Sequence, residues 1–487
     1  MPSQSVLVIG GGLAGMSSAV ALAEAGFRVR LVEKRPHLGG RATSYALPDG
    51  SEVDNCQHVT LGCCTNLADF YRRVGALEKI HFYDRLYFVD AAGRRSTMES
   101  SWLPPPLHMA PSFLFFGALA TADKRCIARA LLAIARAGGH PLGIEGVSML
   151  DWLHGMQQTA AAIERFWRVV LVSALDEELS RTEARYGIDV FWKAFLGSRT
   201  GYRVGIPTVP LADLYDGACD AVISQGGEVR LRCGVRNVAI ERGRFSKAVL
   251  EDGSEITADA CIVAIPHGSL LTFMPEELIA PGAVLGGTRH LKTSPITSAH
   301  FWFEGKVMEE PFLALVDLTT QWIFNKTVLN SSNVTAGGPA RLSGERLRGE
   351  VSNAQYLQLV ISASRDLVPK SRQEIIDLCR RELAGVLPAT REAKLLKATV
   401  IKEVHATFSP EPGVDQWRPA QDFGMQNVFL AGDWTRTGWP ATMEGAVRSG
   451  YLAAEAVASR FGLPCKFLQP DLPLEGISRL GALKNRN

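Results

Sequence analysis

Residues 5 to 33 leave this chain little choice of architecture at its start. Ser5-Val-Leu-Val-Ile9 is apolar and β-branched and reads as a buried strand; Gly10-Gly-Gly-Leu-Ala-Gly15 follows at once. Met16 to Ala25 is rich in Ala and Leu and free of breakers, so it reads as a helix that Gly26 ends. Phe27 to Val32 is a second strand, and Glu33 stands at its C-terminal end, eighteen positions after Gly15. The spacing Gly10-x-Gly12-x-x-Gly15 is a weak signal alone. Set between a strand and a helix and followed by an acid, it reads as a dinucleotide-binding β-α-β turn. Gly10 permits the tight turn, Gly12 lets backbone approach a pyrophosphate, and Gly15 lets helix pack on strand. Leu13 and Ala14 lie within the glycine run, and the N-terminus of the helix that follows offers free N–H donors and positive dipole to the phosphates. Glu33, followed by Lys34, can accept hydrogen bonds from ribose hydroxyls, which argues for an unphosphorylated ribose.

The chain has 487 residues, and a single core stops growing near ~250–300, so two or more domains are expected. Lys plus Arg is 52 against 50 for Asp plus Glu, a balance that leaves no electrostatic footprint for nucleic acid. Nine Cys in a chain this long do not read as a disulfide framework, and the adjacent Cys63 and Cys64 are no metal signature. No metal site is expected. The N-terminus lacks the basic, apolar and small-residue regions of a signal peptide. Phe113–Ala120 and Ile127–Ala135 fall well short of the ~18 apolar residues of a membrane span. The expectation is a soluble or surface-bound cytoplasmic protein.

The middle region, roughly 76 to 204, is rich in Ala, Leu, Trp and Phe at helical spacing. Strand character returns at Gly227–Ile240, Phe245–Leu250, Ala260–Pro266, 296–303 and 356–363, with a last strand Asn427–Ala431 and an Ala-rich helix Glu444–Arg460. Asn330 to Ser352 is polar and Gly-rich and reads as a mobile loop, and the tail beyond Gly462 as extended or loose chain.

A second glycine pair decides the cofactor. Glu33-Lys-Arg-Pro-His-Leu-Gly-Gly-Arg41 places Gly39 and Gly40 just beyond the ribose acid. This run resembles the glycine-rich extension of the amine oxidase and carotenoid desaturase superfamily of FAD enzymes. The resemblance implies that it lies along the pyrophosphate and ribityl chain, with Arg41 near the phosphates; Arg35 reads equally as a second phosphate partner or a surface arginine. It is renewed at Pro210–Leu214 and Gly226–Val235, which resemble the segment whose backbone contacts the adenine, Val235 included. Ala260–Pro266 resembles the strand returning to the nucleotide domain. Asn427–Asp433 resembles the last strand, with Gly432 and Asp433 on the ribityl chain or phosphate. A helix starting near Thr442 and Met443 would point its dipole at the flavin ring. The implied fold is mixed α/β: a discontinuous Rossmann-type FAD-binding domain (1–75, 205–290, 400–462) of the glutathione-reductase and amine-oxidase kind. An interleaved substrate domain of helices and an antiparallel-rich sheet takes 76–204 and 291–399, and 463–487 forms a tail. FAD is expected to be noncovalent.

Longer strings narrow the resemblance. Asp54-Asn-Cys-Gln-His-Val59, Leu103–His108, Ser294–Ser298, Ala406–Ser409 and Ala431–Gly450 together resemble the hydroxysqualene dehydroxylases of bacterial squalene and hopanoid synthesis. Cys56 departs from that pattern, standing where glycine is usual. So does Val404-His405, where a basic pair is commoner. The resemblance implies reduction of hydroxysqualene to squalene by reduced FAD, with loss of water; the electron donor is left open. Water leaves poorly without a proton donor, and Asp54 and His58 are the candidates, each with a structural alternative in which it only bonds its neighbours. Polyprenoid desaturation is the first alternative. Flavin amine oxidation is weaker, because Thr442 stands where an aromatic is usual and Pro295–Phe301 carries no lysine. An FAD-binding protein without catalysis is a further alternative. Trp152, Phe166, Trp167, Phe191, Trp192 and Phe195 are read as channel wall or as ordinary helix core. Around 112–137, Phe113, Phe115, Phe116, Ile127, Leu131 and Ile134 are expected to form an apolar surface. With Arg125, Arg129 and Arg136 at its rim, it would rest on the inner face of the cytoplasmic membrane.

Overall fold

A computed structural model describes residues 4–331 and 353–479. Most of the loop expected at 330–352 therefore lies outside the described residues; Lys326–Ser331 is a short helix. The N-terminal β-α-β unit forms a strand Ser5–Ile9, a helix Leu13–Glu24 and a strand Arg28–Val32. The helix starts three residues earlier than its composition suggests, because Gly12 itself is the N-cap. Ser5–Ile9 is the centre of a five-stranded parallel sheet, flanked by Arg28–Val32 and Glu228–Arg230 on one side and Ala260–Val263 and Val428–Leu430 on the other. Helices cover this sheet, which is why its strands are apolar runs without alternation: Val6, Leu7 and Val8 are all buried. Helix Leu13–Glu24 packs against the C-terminal helix Met443–Arg460 and against Asp216–Ser224.

The second large sheet has seven strands in the order Leu395–Phe408, Thr293–Glu304, Ala354–Ile361, Trp322–Asn325, Phe312–Val316, Arg85–Asp90 and Arg95–Glu99. It is antiparallel except where Phe312–Val316 runs parallel to Arg85–Asp90. The middle region is thus not wholly helical, as its composition suggests. Ile80–Tyr83, Arg85–Asp90 and Arg95–Glu99 are strands, with His81, Arg85 and Arg95 exposed on them.

Beyond them, helices Thr121–Arg136, Arg168–Leu175 and Ala184–Val190 build a separate layer. Two wide π-helical stretches interrupt it, Ile163–Trp167 and Phe191–Leu196. Phe116, Ile127 and Ile134 are turned into this layer and fully buried, so the apolar surface expected from residues 113–134 does not form as drawn. The helix needs that face for its own core. Arg125, Arg129 and Arg136 do lie on its other side, away from that core. The described tail is extended and docked. Asp471 pairs with Lys193 at 2.8 Å and with Arg448 at 2.7 Å, and the Gln469 N–H donates to Asn66 Oδ1 at 2.8 Å.

One buried cation organises the turn between the last sheet strand and the C-terminal helix. Arg418 is 1% exposed, and its guanidinium donates to the carbonyls of Asp433 at 3.0 Å, Thr435 at 2.5 Å and Trp439 at 2.9 Å. It also reaches Tyr186 Oη at 2.6 Å and Asp415 at 3.0 Å. Arg418→Met should strand these acceptors and cost about 3 kcal/mol. Urea denaturation tests this, and an unchanged midpoint would show that the turn holds itself.

Candidate active site

The two glycine runs meet side by side. Gly12 forms a bridge with Gly39, whose N–H donates to the Gly11 carbonyl at 2.9 Å. A Cβ on Gly15 would fall 1.9 Å from the Gly10 carbonyl oxygen, so packing alone forbids a side chain there. At Gly12, among the described residues, the only heavy atom within 4 Å of such a Cβ is Gly40 Cα, at 3.9 Å. Gly12 is therefore bare for the sake of an open groove rather than a tight neighbour. The amides of Leu13, Ala14 and Gly15 precede the first intrahelical donor, Met16, whose N–H bonds Gly12 O at 2.9 Å. This cradle fits a dinucleotide pyrophosphate.

Glu33 is 7% exposed. One of its oxygens accepts from the Gly11 N–H at 2.6 Å and the other from the Arg35 N–H at 2.8 Å, leaving a lone pair on each for ribose hydroxyls. Lys34 is exposed, and Arg35 bonds the Gly40 carbonyl at 2.8 Å, which stiffens the second glycine run. The Cys233 N–H donates to Glu33 O at 2.9 Å and brings the segment before Val235 alongside the acid. Arg41 pairs with the buried Asp433 and bonds Ala406 O at 2.9 Å. Gly432 is held by Ser449 Oγ, which accepts its N–H at 2.8 Å. Thr442 caps the last helix, its Oγ1 accepting from the Gly445 N–H at 3.0 Å. That helix N-terminus, with Thr442, Met443 and Glu444, opens on a large apolar cavity of about 410 Å³.

The cavity runs from this end to the protein surface at Leu107 and Leu132. Phe166, Phe191 and Phe195, all from the π-helical stretches, line it. Trp152 and Trp167 are not on its wall, and Trp192 lines a separate cavity of about 400 Å³. Cys56 and Gln57 form part of the wall, but Asp54 and His58 do not. Cys56 needs no left-handed backbone here, so its replacement of the usual glycine carries no strain.

The Asp54 carboxylate is fully committed. It accepts from Ser44 Oγ at 2.8 Å, the Leu211 N–H at 3.0 Å and Lys326 Nζ at 2.9 Å. Burial alone would raise its pKa; Lys326, the Leu211 amide and Ser44 more than reverse this, so the group sits below its ordinary value and stays ionised. An ionised carboxylate has no proton to give, so this geometry favours the alternative in which Asp54 only bonds its neighbours. His58 is held below its ordinary pKa by burial, and its Nδ1 donates to the Cys56 carbonyl at 3.1 Å. His58 lies off the cavity wall and is tied to the Cys56 carbonyl, which favours the alternative in which it only bonds its neighbours. Lys326 itself escapes a reading of the sequence. It also donates to Gln57 Oε1 at 3.0 Å, and nothing but its position after an apolar strand marks it.

The model of the flavin-containing amine oxidoreductases matches residues 13–458. The chain belongs to that family. Among its relatives, the 15-cis-phytoene desaturase of Solanum lycopersicum is 26% identical over 478 residues, covering 94% of this chain and 78% of the relative. The zeta-carotene desaturase of Synechocystis sp. is 23% identical, covering 93% and 96%. An oxidoreductase from Methanosarcina mazei superposes with a TM-score of 0.70 at 16% identity, covering 93% of this chain and 100% of the other. Putrescine oxidase bound to putrescine gives 0.69 at 14%, covering 94% and 99%. These structures establish the mixed α/β fold. As a flavin-containing amine oxidoreductase the protein is an FAD oxidoreductase, and the Gly12–Gly40 groove, Glu33, Arg41 and Asp433 are the residues that would hold the cofactor.

Asp54→Asn leaves the Lys326 ammonium buried without its counter-ion and should cost about 3–5 kcal/mol at neutral pH. Because the folded carboxyl is depressed, its stabilisation is fully present above the unfolded value of about 3.9 and is lost as pH falls through the lower folded value. The difference from wild type should therefore shrink below about pH 4. Denaturant midpoints at neutral and acid pH measure it, and a gap of equal size at both would overturn the assignment.

Proposed function

We propose that the protein reduces hydroxysqualene to squalene with loss of water. The observation that carries the prenoid reading is the apolar cavity, which joins the helix N-terminus at Thr442 to an exposed apolar surface. A long hydrocarbon fits such a channel, whose wall is mostly apolar. Resemblance of the Asp54–Val59 and Ala431–Gly450 strings to the hydroxysqualene dehydroxylases narrows the prenoid to this alcohol. Bound FAD, when reduced, supplies hydride from N5. The protein's part is to hold the chain, exclude water and provide the proton with which the hydroxyl leaves.

Desaturation of a polyprenoid is the second reading. It is favoured by the similarity to phytoene and zeta-carotene desaturases along nearly the whole chain, and it would use the same cavity with hydride moving the other way. Anaerobic incubation of the reduced protein with hydroxysqualene should yield squalene by mass, at rates of order ~1 per second. Desaturation of a polyene by the oxidised protein, with the alcohol untouched, would favour the second reading. Hydrogen peroxide released from amines would sink both.

The same cavity supports a place at a membrane surface. Trp102, Leu107, Leu114, Phe115, Leu132 and Leu142 are exposed large apolar residues, and of these Leu107 and Leu132 also line the cavity. On Thr121–Arg136, Arg125, Arg129 and Arg136 share a helical stripe with Leu132, where they would meet lipid phosphates. Among the described residues no helix is long and apolar enough to cross a membrane. Trp102→Glu with Phe115→Glu should abolish cosedimentation with anionic liposomes. Arg125, Arg129 and Arg136 changed together to Gln should weaken it about a hundredfold at low salt, at ~1 kcal/mol for each arginine. Equal sedimentation of all three proteins would overturn the membrane reading.

A further inference from the structure

Several buried carboxyl groups lie on or beside the apolar cavity, and all but one are spent. Asp54 is tied to Lys326. Asp176 accepts from the Ala363 N–H at 2.7 Å and Thr407 Oγ1 at 2.9 Å. Glu444 accepts from Asn66 Nδ2 at 2.9 Å and the Leu67 N–H at 2.7 Å. Asp189 is different. It lines the cavity from the helix Ala184–Val190, immediately before a π-helical stretch, and is 7% exposed. Its Oδ1 is buried with no hydrogen-bond partner among the described residues.

The surroundings do not supply one. Lys193, four residues on, is engaged by Asp471 at 2.8 Å and lies over the Trp439 ring, 5.5 Å from its centroid. Arg185 pairs with Asp415, and His140 acts on Asp189 only at longer range. Burial raises the carboxyl's pKa, with Lys193, Arg185 and His140 opposing that shift and Asp471 reinforcing it. A carboxyl left in this state is costly unless it keeps a proton or meets a polar group on a ligand. A pure hydrocarbon offers no such group; an alcohol does.

We propose that Asp189 binds the hydroxyl of a prenoid alcohol in the apolar cavity and donates the proton with which it departs. This rests on the dehydroxylation reading. The carbinol C–O bond breaks and its electron pair leaves with the oxygen, which takes the Asp189 proton to become water. FAD held along the Gly12–Gly40 groove by Glu33 and Arg41 would, when reduced, supply the hydride for the new C–H bond, two electrons passing from the cofactor to the carbon, and Asp189 is left as a carboxylate. The adjoining cavity, lined by His140, Lys193, Ser198 and Asp471, shares Cys63, Lys193 and Trp439 with the apolar one and gives the carboxylate a polar route to a new proton.

The test uses the FAD-loaded protein and two variants, Asp189→Asn and Asp189→Leu. In the oxidised state, binding of hydroxysqualene and of squalene is followed by quenching of tryptophan fluorescence. Wild type should prefer the alcohol about tenfold, the worth of one buried hydrogen bond, and Asp189→Leu should lose that preference. In a single anaerobic turnover, Asp189→Asn should retain FAD and reoxidise about a hundredfold or more slowly with the alcohol. It should recover with the acetate ester of that alcohol, whose leaving group needs no proton. If Asp189→Asn matches wild type on the alcohol, or Asp189→Leu keeps the preference, this role is overturned while the dehydroxylation reading stands. A wild-type protein inert toward the alcohol overturns both.

Discussion

Two side chains almost without access to solvent join the halves of this protein. Lys326 and Asp54 are 3% and 2% exposed and 2.9 Å apart. One comes from the end of a strand in the seven-stranded sheet, the other from a hairpin beside the cofactor groove. Taking both charges out of water costs several kcal/mol per ion, so the pair persists because further hydrogen bonds support each partner. Ser44 and the Leu211 amide complete the carboxylate, and Gln57 completes the ammonium. The pair is thus less a source of stability than a register pin. It fixes residues 54–57 against the seven-stranded sheet, and with them Cys56 and Gln57, which form part of the cavity wall.

A second pin works at the other edge of the site. Arg418 satisfies three carbonyls of the turn that follows the last parallel strand. That turn carries Asp433 toward Arg41 and delivers Thr442 to the start of the C-terminal helix. Backbone carbonyls in a buried irregular segment must be paired, and one planar guanidinium does this for several at once, where a lysine would present a single point charge. The first pin spans 272 residues and the second 15 to 21, and the second holds backbone that has little regular structure of its own.

That division explains what could be read from the chain. The cofactor half is written in local terms: a turn needing glycine, a helix beginning on it and an acid at a strand end are all legible within residues 5 to 41. The pins are not. Lys326 and Asp54 are 272 residues apart, and neither has a neighbour in sequence that betrays the other. Asp54 stands out in the sequence only through the Asp54–Val59 string that carries the resemblance, and that string singles out an acid donor and an ion-pair anchor equally well. Leu395–Phe408 escaped for a similar reason: as the outermost strand of its sheet it stays half-buried and carries Lys397, Lys402 and Glu403. The helix Thr121–Arg136 was legible as amphipathic, but periodicity cannot tell core from lipid as the destination of an apolar face. Here Ile127 and Ile134 go to the core.

The same limit applies to carboxyl groups, and it decides the chemistry. Asp54, Asp176 and Asp189 are one residue type at similar burial. Asp54 faces a cation and is held ionised. Asp176 is raised by burial, yet its two oxygens already accept from an amide and a hydroxyl, so its proton has no open path to a ligand. Asp189 is also raised by burial but ends in the cavity with an oxygen unpaired among the described residues. Burial alone makes an acid; an unpaired oxygen on a ligand cavity makes an acid that can be used. The difference lies in which elements the fold brings within reach of each carboxyl, and of these three only Asp189 has that reach left empty among the described residues.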